Sequence, residues 1–345
     1  MNGKMHLIRK IIDGKMSIKE IDSSCSNYIP GELLYYVDPK SYMTSTSHIS
    51  NSLFVNKRFN CCRSLFESLS TVNYSLVKGA VLSERLYDNP SIRKSEDMDI
   101  LIEPNAIDEV KSILHKFGFQ QGKIINGEVV PYTRESLIFQ KAFTHQIASF
   151  VKLTHDTFPV SINIDINTSV MWGETKKPID ISIFLNNTEY INLYGIQVKR
   201  LTKEYEFIAL CLHHYKDLNS LFMLWNSGIK LSLFLDIFFY INNVDLDMNK
   251  IKEICEALGV SEYIYFCLFH TWNVLGGKSL EQYVKFFEIE SYKYILNRIG
   301  LSDDEYKYLP RGISQYLFDE SFKNDLYPLL TTQDLHNIKM NKLHM

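Results

Sequence analysis

The sequence has no excess of positive charge. Its 37 Lys and Arg stand against 40 Asp and Glu, a formal net charge of −3 at pH 7, and no block of Lys or Arg occurs. Lys and Arg contacts to phosphate supply most of the affinity for a long nucleic acid, so the composition argues against an extended duplex partner. No uncharged apolar run reaches the roughly 20 residues that a membrane helix needs. The longest candidate, Ile229–Ile241, contains Lys230 and Asp236, and no membrane span is expected. The N-terminal segment is charged throughout and lacks the apolar stretch of a signal peptide. Cys25, Cys61, Cys62, Cys211, Cys255 and Cys267 contain no C-x-x-C pair. Free thiols in a cytoplasmic protein are the expectation. No internal repeat or low-complexity tract is visible.

What is present is an ordinary globular balance, 46% hydrophobic and 22% charged. A chain of 345 residues can bury one large core or two ordinary ones. Phe59, Cys62, Leu65, Phe66 and Leu69 recur at helical spacing within residues Asn56–Leu69. Tyr74–Val77 reads as a strand running into a turn at Gly79, and Val81–Tyr87 as a short helix closed by Asp88, Asn89 and Pro90. Met98–Glu103 is a predicted strand. Asn105–Phe117 is a predicted helix, capped by Asn105 and stopped by Gly118. His145–Leu153 and Val160–Asn167 read as further strands. After about residue 200 the pattern turns helical, over Leu201–Leu218, Gly228–Asn242, Met248–Leu258 and Ser261–Leu275. The expected class is α+β, a mixed sheet with helices on one face followed by a helical domain. The expected divisions are an N-terminal extension over residues 1–55, an α/β domain over 56–199 and a helical domain over 200–345.

The chemistry concentrates in two strands. In a strand, residues two apart share a face. Asp97 and Asp99 therefore project together, while Met98, Ile100 and Ile102 project into a core. Adjacent carboxylates repel unless a cation or a proton separates them. A hard divalent ion with oxygen ligands, Mg²⁺ above all, meets that need. In Val160–Asn167, Val160, Ile162, Ile164 and Ile166 alternate with Ser161, Asn163, Asp165 and Asn167. If this strand lies beside the first, Asp165 joins Asp97 and Asp99 on one open face. Such a site can hold two metals about 3.5–4 Å apart, to activate an attacking hydroxyl and stabilise a leaving pyrophosphate.

Lys78, Gly79, Leu82, Tyr87, Arg93, Asp97 and Asp99 together match a pattern of the form K-G-x-x-L, then Tyr, Arg and D-x-D. The pattern resembles that of an uncharacterised bacterial nucleotidyltransferase family within the superfamily typified by DNA polymerase β. The resemblance covers roughly residues 60–170, and extends more loosely through His213, His214, Lys216 and Asp236. It implies a short mixed sheet backed by helices, with a helical domain closing over the site. It implies a nucleoside triphosphate donor, ATP first, bound through Mg²⁺. It also implies that Lys78, Gly79 and Ala80 form a turn touching the donor phosphates. Two positions depart from the pattern. Ala80 stands where the superfamily commonly has Ser or a second Gly, and Asn167 stands where the closer family often has His.

The expected activity is transfer of a nucleoside monophosphate to an acceptor hydroxyl or phosphate. Asp97, Asp99 and Asp165 would hold the metal, and Arg93 would stabilise phosphate charge. A small-molecule acceptor is favoured over an RNA end or a protein, because there is no basic surplus. The alternatives are a toxin-like enzyme acting on a tRNA end or a protein, and a non-catalytic nucleotide-binding scaffold. No His/Asp cluster supports a phosphohydrolase. Arg93 and Lys78 also read as ordinary surface or ion-pairing residues. His213 and His214 can contact a substrate or simply sit satisfied on a helix. Asp236, within an apolar helix, is expected to be held by an ion pair.

Overall fold

The computed structural model describes residues 3–15, 29–143, 146–154 and 158–344. They form two compact units. One comprises Thr44–Gly173 and Pro178–Glu206; the other comprises the chain up to Met43, Glu174–Lys177 and Phe207–Leu343. The N-terminal stretch expected as a separate extension thus divides between the units at Met43/Thr44.

The first unit is built on one eight-stranded mixed sheet. Its strands are β1 (Tyr74–Val77), β2 (Asp97–Ile102), β3 (Gln120–Ile125), β4 (Glu128–Pro131), β5 (Gln146–Leu153), β6 (Ser161–Asn167), β7 (Thr188–Leu193) and β8 (Ile196–Leu201). Their order is β4-β3-β5-β6-β2-β1-β8-β7. β2 runs parallel to β6 and antiparallel to β1, and β1 runs parallel to β8. The sheet is larger than the short one expected, because two hairpins, β3-β4 and β7-β8, extend it at both edges. They turn at Asn126-Gly127 and at Tyr194-Gly195, all four residues having positive φ. That conformation matches the right-handed twist of the flanking strands.

The longer helices of this unit are α1 (Thr46–Cys61), α2 (Arg63–Leu69), α3 (Gly79–Tyr87), α4 (Ile107–Lys116) and α5 (Arg134–Phe143). The helical pattern of Asn56–Leu69 is two helices rather than one, parted at Cys62. α1 starts ten residues earlier, where Ser45 accepts a hydrogen bond from the His48 N–H. Asn105 does not cap α4: it lies in a 3₁₀ turn over Pro104–Ala106, and α4 begins at Ile107 without a side-chain cap. The pleat decides what the sheet buries. Met98, Ile100 and Ile102 of β2 and Ile162, Ile164 and Ile166 of β6 join one core with Val55 and Phe59 of α1, Phe66 of α2, and Val110 and Leu114 of α4. Each such side chain contributes about 1.5–3 kcal/mol when fully buried. The polar residues of β2 and β6 are left on the opposite face.

The second unit is helical, with α6 (Lys203–Asn219, its first turn in the sheet unit), α7 (Leu231–Asn243), α8 (Met248–Leu258), α9 (Ser261–Leu275) and α10 (Lys278–Phe287). A two-stranded pair, Arg298–Ile299 with Lys307–Tyr308, interrupts the helices. Tyr215 packs on Tyr263 and Phe266 with ring centroids 4.5 and 5.0 Å away. Among the described residues no helix is long and apolar enough to cross a membrane, and Cys61, Cys62, Cys211, Cys255 and Cys267 are free thiols. Cys25 lies outside the described residues.

Candidate active site

The parallel pairing of β2 with β6 places Asp97 opposite Asn163, Asp99 opposite Asp165 and Leu101 opposite Asn167. Partner residues on adjacent strands stand roughly 5 Å apart. Asp97, Asp99 and Asp165 therefore share one face, as the alternation of apolar neighbours requires. Burial pushes the Asp165 carboxyl from 3.8 up to about 6; the charges of Asp99 and Asp97 add to that, while hydrogen bonding to Ser149 and the charge of Lys78 oppose it. Burial likewise raises the Tyr132 hydroxyl, which lies close enough to Asp165 to feel its charge.

β1 runs antiparallel along the other side of β2, with Val77 opposite Asp99. The next residue turns sharply. Lys78 has φ 58 and ψ −151, and Gly79 has φ 46. A side chain at Lys78 is strained in that region, by about 1–3 kcal/mol. The turn sends Lys78 back over the sheet: its Nζ lies 3.1 Å from Asp99 Oδ1. The same oxygen accepts a hydrogen bond from Asn167 Nδ2, also at 3.1 Å. A Cβ on Gly79 would stand 3.1 Å from Ser95 Oγ. Ser95 Oγ in turn donates to the Asp97 carbonyl at 2.7 Å, with Asp97 Oδ1 at 3.3 Å.

α3 starts directly at this turn, and no side chain caps it. The first bond of the helix is Leu82 N–H to Lys78 O at 3.1 Å. The N–H groups of Gly79, Ala80 and Val81 thus have no partner within the helix, and they concentrate positive potential at its start. Ala80 is buried in the apolar core with Val81. Its methyl group serves packing, and its N–H remains part of the turn. Arg93 lies on the segment between α3 and β2; its side chain is half-buried, and its backbone N–H donates to Ser83 Oγ at 3.0 Å.

Hard oxygen donors gathered on one face are the chemistry that suits Mg²⁺. Among the described residues, no three His, Cys, Asp or Glu side chains are drawn into a cage around one point. The strand register puts Asp97, Asp99 and Asp165 on one face, with Asp99 directly opposite Asp165. Lys78 and Asn167 supply the compensation that Asp99 requires. Carboxylate oxygens are the donor type that a hard divalent cation takes, and Lys78 Nζ supplies the positive charge beside Asp99.

A buried arginine completes the arrangement, and the sequence did not single it out. Arg58 of α1 has no exposed surface, and its Nη1 donates to the carbonyls of Ser95 and Asp97 at 3.1 and 3.0 Å. His213, His214, Lys216 and Asp236 belong to the helical unit. Asp236 Oδ2 and His214 Nε2 lie 3.2 Å apart, both buried, and hold α7 to α6. Among the described residues neither ring nitrogen of His214 has a hydrogen-bond partner, so the two side chains meet by proximity rather than by a formed hydrogen bond. His213 Nε2 lies 3.4 Å from Asp217 Oδ2, one turn along α6.

A crystal structure of an antigenic nucleotidyltransferase-like protein from Paracoccidioides brasiliensis is similar to this chain at 15% identity and a TM-score of 0.33, covering 67% of this chain and 94% of that one. No curated protein matches the chain. Residues 56–276 match the family model described as uncharacterised nucleotidyltransferase. That span is well over half of the sequence and contains every residue of the carboxylate site, and the chain accordingly belongs to this nucleotidyltransferase family.

Proposed function

We propose that the protein is a metal-dependent nucleotidyltransferase of the polymerase β superfamily, working in the reducing cytosol. It would move a nucleoside monophosphate from a nucleoside triphosphate, ATP in the first place, to a hydroxyl or phosphate of a small-molecule acceptor. The observation that carries this reading is the pairing of Asp99 with Asp165, with Asp97 on the same face.

In the proposed reaction the acceptor oxygen attacks the α-phosphorus of the triphosphate. The bond from that phosphorus to the bridging oxygen breaks, and pyrophosphate leaves. Asp97, Asp99 and Asp165 would hold one or two Mg²⁺ ions, which when bound lower the cost of negative charge on the attacking and leaving oxygens. The N–H groups of Gly79 and Ala80 face the donor phosphates as fixed dipoles at the helix start. Lys78, released from Asp99, carries its charge to the same phosphates, and Arg93 lends its charge at the entrance to β2. Asp165 takes the acceptor proton on its carboxylate oxygen. The small-molecule acceptor follows from the net charge of −3, which leaves little general attraction for a polyanion.

The test is incubation of the protein with each labelled triphosphate, Mg²⁺ and a fractionated cell extract. Label on a small molecule supports the proposal. Label on RNA or protein replaces the acceptor, and no Mg²⁺-dependent transfer of any kind overturns the reading.

A further inference from the structure

Arg58 is an anomaly. It is a guanidinium with no exposed surface. Among the described residues it has no acidic side chain within ion-pair distance, and its Nε has no hydrogen-bond partner. Buried charges are ordinarily paired, because removing one from water is costly. The partners Arg58 does have are two carbonyls at the entrance to β2, those of Ser95 and Asp97. Its plane lies over the Phe54 ring one turn earlier in α1, 5.0 Å from the centroid. Burial lowers its affinity for its proton, and the charges of Asp97 and Asp99 act in the opposite sense. The Asp97 carbonyl receives a second donor, Ser95 Oγ, at 2.7 Å. That hydroxyl would stand only 3.1 Å from a Cβ on Gly79. One hub thus joins α1, the Lys78-Gly79 turn and the first residue of β2.

We propose that Arg58 is a positioning residue for the metal strand, holding the Ser95 and Asp97 carbonyls so that Asp97 and Asp99 present their carboxylates to the open face in a fixed register. This inference rests on the metal-dependent reading above. It separates from two plainer roles by sign. A cation acting only through its charge would weaken binding of a second cation at Asp97 and Asp99, so its removal would tighten binding. A side chain acting only as core filling would leave the binding of folded protein unchanged. A positioning residue makes binding weaker when removed, as loss of groups that orient metal ligands commonly does, by about 10–100-fold.

The experiment uses the full chain and Mn²⁺ as the probe, with binding to the metal-free protein followed by the electron paramagnetic resonance of free Mn²⁺. Thermal melting of each variant is recorded alongside. For Arg58→Met we expect Mn²⁺ affinity to fall at least about tenfold with melting close to wild type. Arg58→Lys keeps the charge, but its shorter reach weakens the grip on the two carbonyls. We expect it to lie between wild type and Arg58→Met, a few-fold below wild type. Unchanged or tighter Mn²⁺ binding by Arg58→Met overturns the proposal. If Arg58→Met does not fold, Arg58→Lys decides, and wild-type affinity in that variant overturns it. Absence of Mn²⁺ binding by the wild type overturns the metal-dependent reading, and this inference with it. Wild-type binding with an unaltered variant removes this inference alone.

Discussion

Asp99 and Asp165 are direct partners in the parallel pairing of β2 with β6. Two acids set opposite one another on neighbouring strands are an arrangement that folding alone has no reason to favour. The consequences appear in the ionisation of Asp165 and in the cation and amide held against Asp99.

The first prediction concerns pH and stability. The Asp165 carboxyl sits at about 6 in the folded protein against an ordinary 3.8, first through burial and then through Asp99 and Asp97. A raised value means that the fold prefers the protonated acid. The stability this provides is complete below about pH 3.8 and is lost as pH rises through about 6. By linkage the ionised form costs the metal-free fold about 3 kcal/mol. Asp165→Asn mimics the protonated acid. It should raise the melting temperature at pH 8 without metal, and the gain should shrink toward zero by pH 4. A gain of equal size at both pH values would show that Asp165 ionises as an ordinary surface acid.

The turn makes a second prediction. Gly79 has φ 46, and a Cβ there meets Ser95 Oγ at 3.1 Å. Gly79→Ala should cost about 1–2 kcal/mol from the left-handed backbone alone. It should also push Ser95 away from the Asp97 carbonyl. Denaturant unfolding should therefore show a lower midpoint with an unchanged slope. Activity should fall further than the lost stability accounts for. A fully active, fully stable Gly79→Ala protein would remove the turn from the site.

Asn167 carries the third. It departs from the pattern that the sequence resembles, which by itself invites the idea of a decayed site. In the structure Asn167 Nδ2 donates to Asp99 Oδ1 at 3.1 Å, the same oxygen that Lys78 approaches. Asn167→Ala removes one of the two groups that orient Asp99. Transfer activity should drop by about 10–100-fold with little change in melting temperature. Asn167→His restores a donor and should recover part of that loss. Equal activities in all three proteins would assign Asn167 to packing alone.

Much of this site could be read from residue alternation. Met98, Ile100 and Ile102 against Asp97 and Asp99, and Ile162, Ile164 and Ile166 against Asp165, announce which side chains share a face, because the period of a strand is two. The adjacency of the two strands is a tertiary fact that residue alternation cannot supply. Asn126-Gly127 is a strong hairpin signal. Tyr194-Gly195 carried a weaker one, since Tyr seldom adopts positive φ. Lys78 shows the same limit: nothing in a lysine announces φ 58. Arg58 was illegible for a different reason. An arginine in a helix reads as solvated, and only the packing of α1 against the entrance to β2 takes it out of water.

The last prediction separates enzyme from relic. Asp97→Asn and Asp99→Asn keep the shape of each side chain and remove its charge. If the site works through bound metal, either change should nearly abolish transfer, since charge stabilisation by a metal is worth several kcal/mol. Folding should survive, because each change relieves repulsion among acids that share one face. At Asp99 that relief is partly offset, since Lys78 loses its ionic partner 3.1 Å away. At Asp97 it is offset by loss of the charge that acts on buried Arg58, so both variants should melt near or slightly below wild type without ligand. Addition of Mg²⁺ with ATP should raise the melting temperature of the wild type. A ligand at a hundred times its dissociation constant stabilises by about 2.7 kcal/mol. Neither variant should respond to the pair, and wild type should not respond to Mg²⁺ chelated by excess EDTA. The decisive comparison is the ligand-induced shift rather than the starting temperature. A wild-type protein that binds ATP equally well with and without Mg²⁺, and whose Asp variants bind as it does, holds nucleotide as a scaffold rather than turning it over.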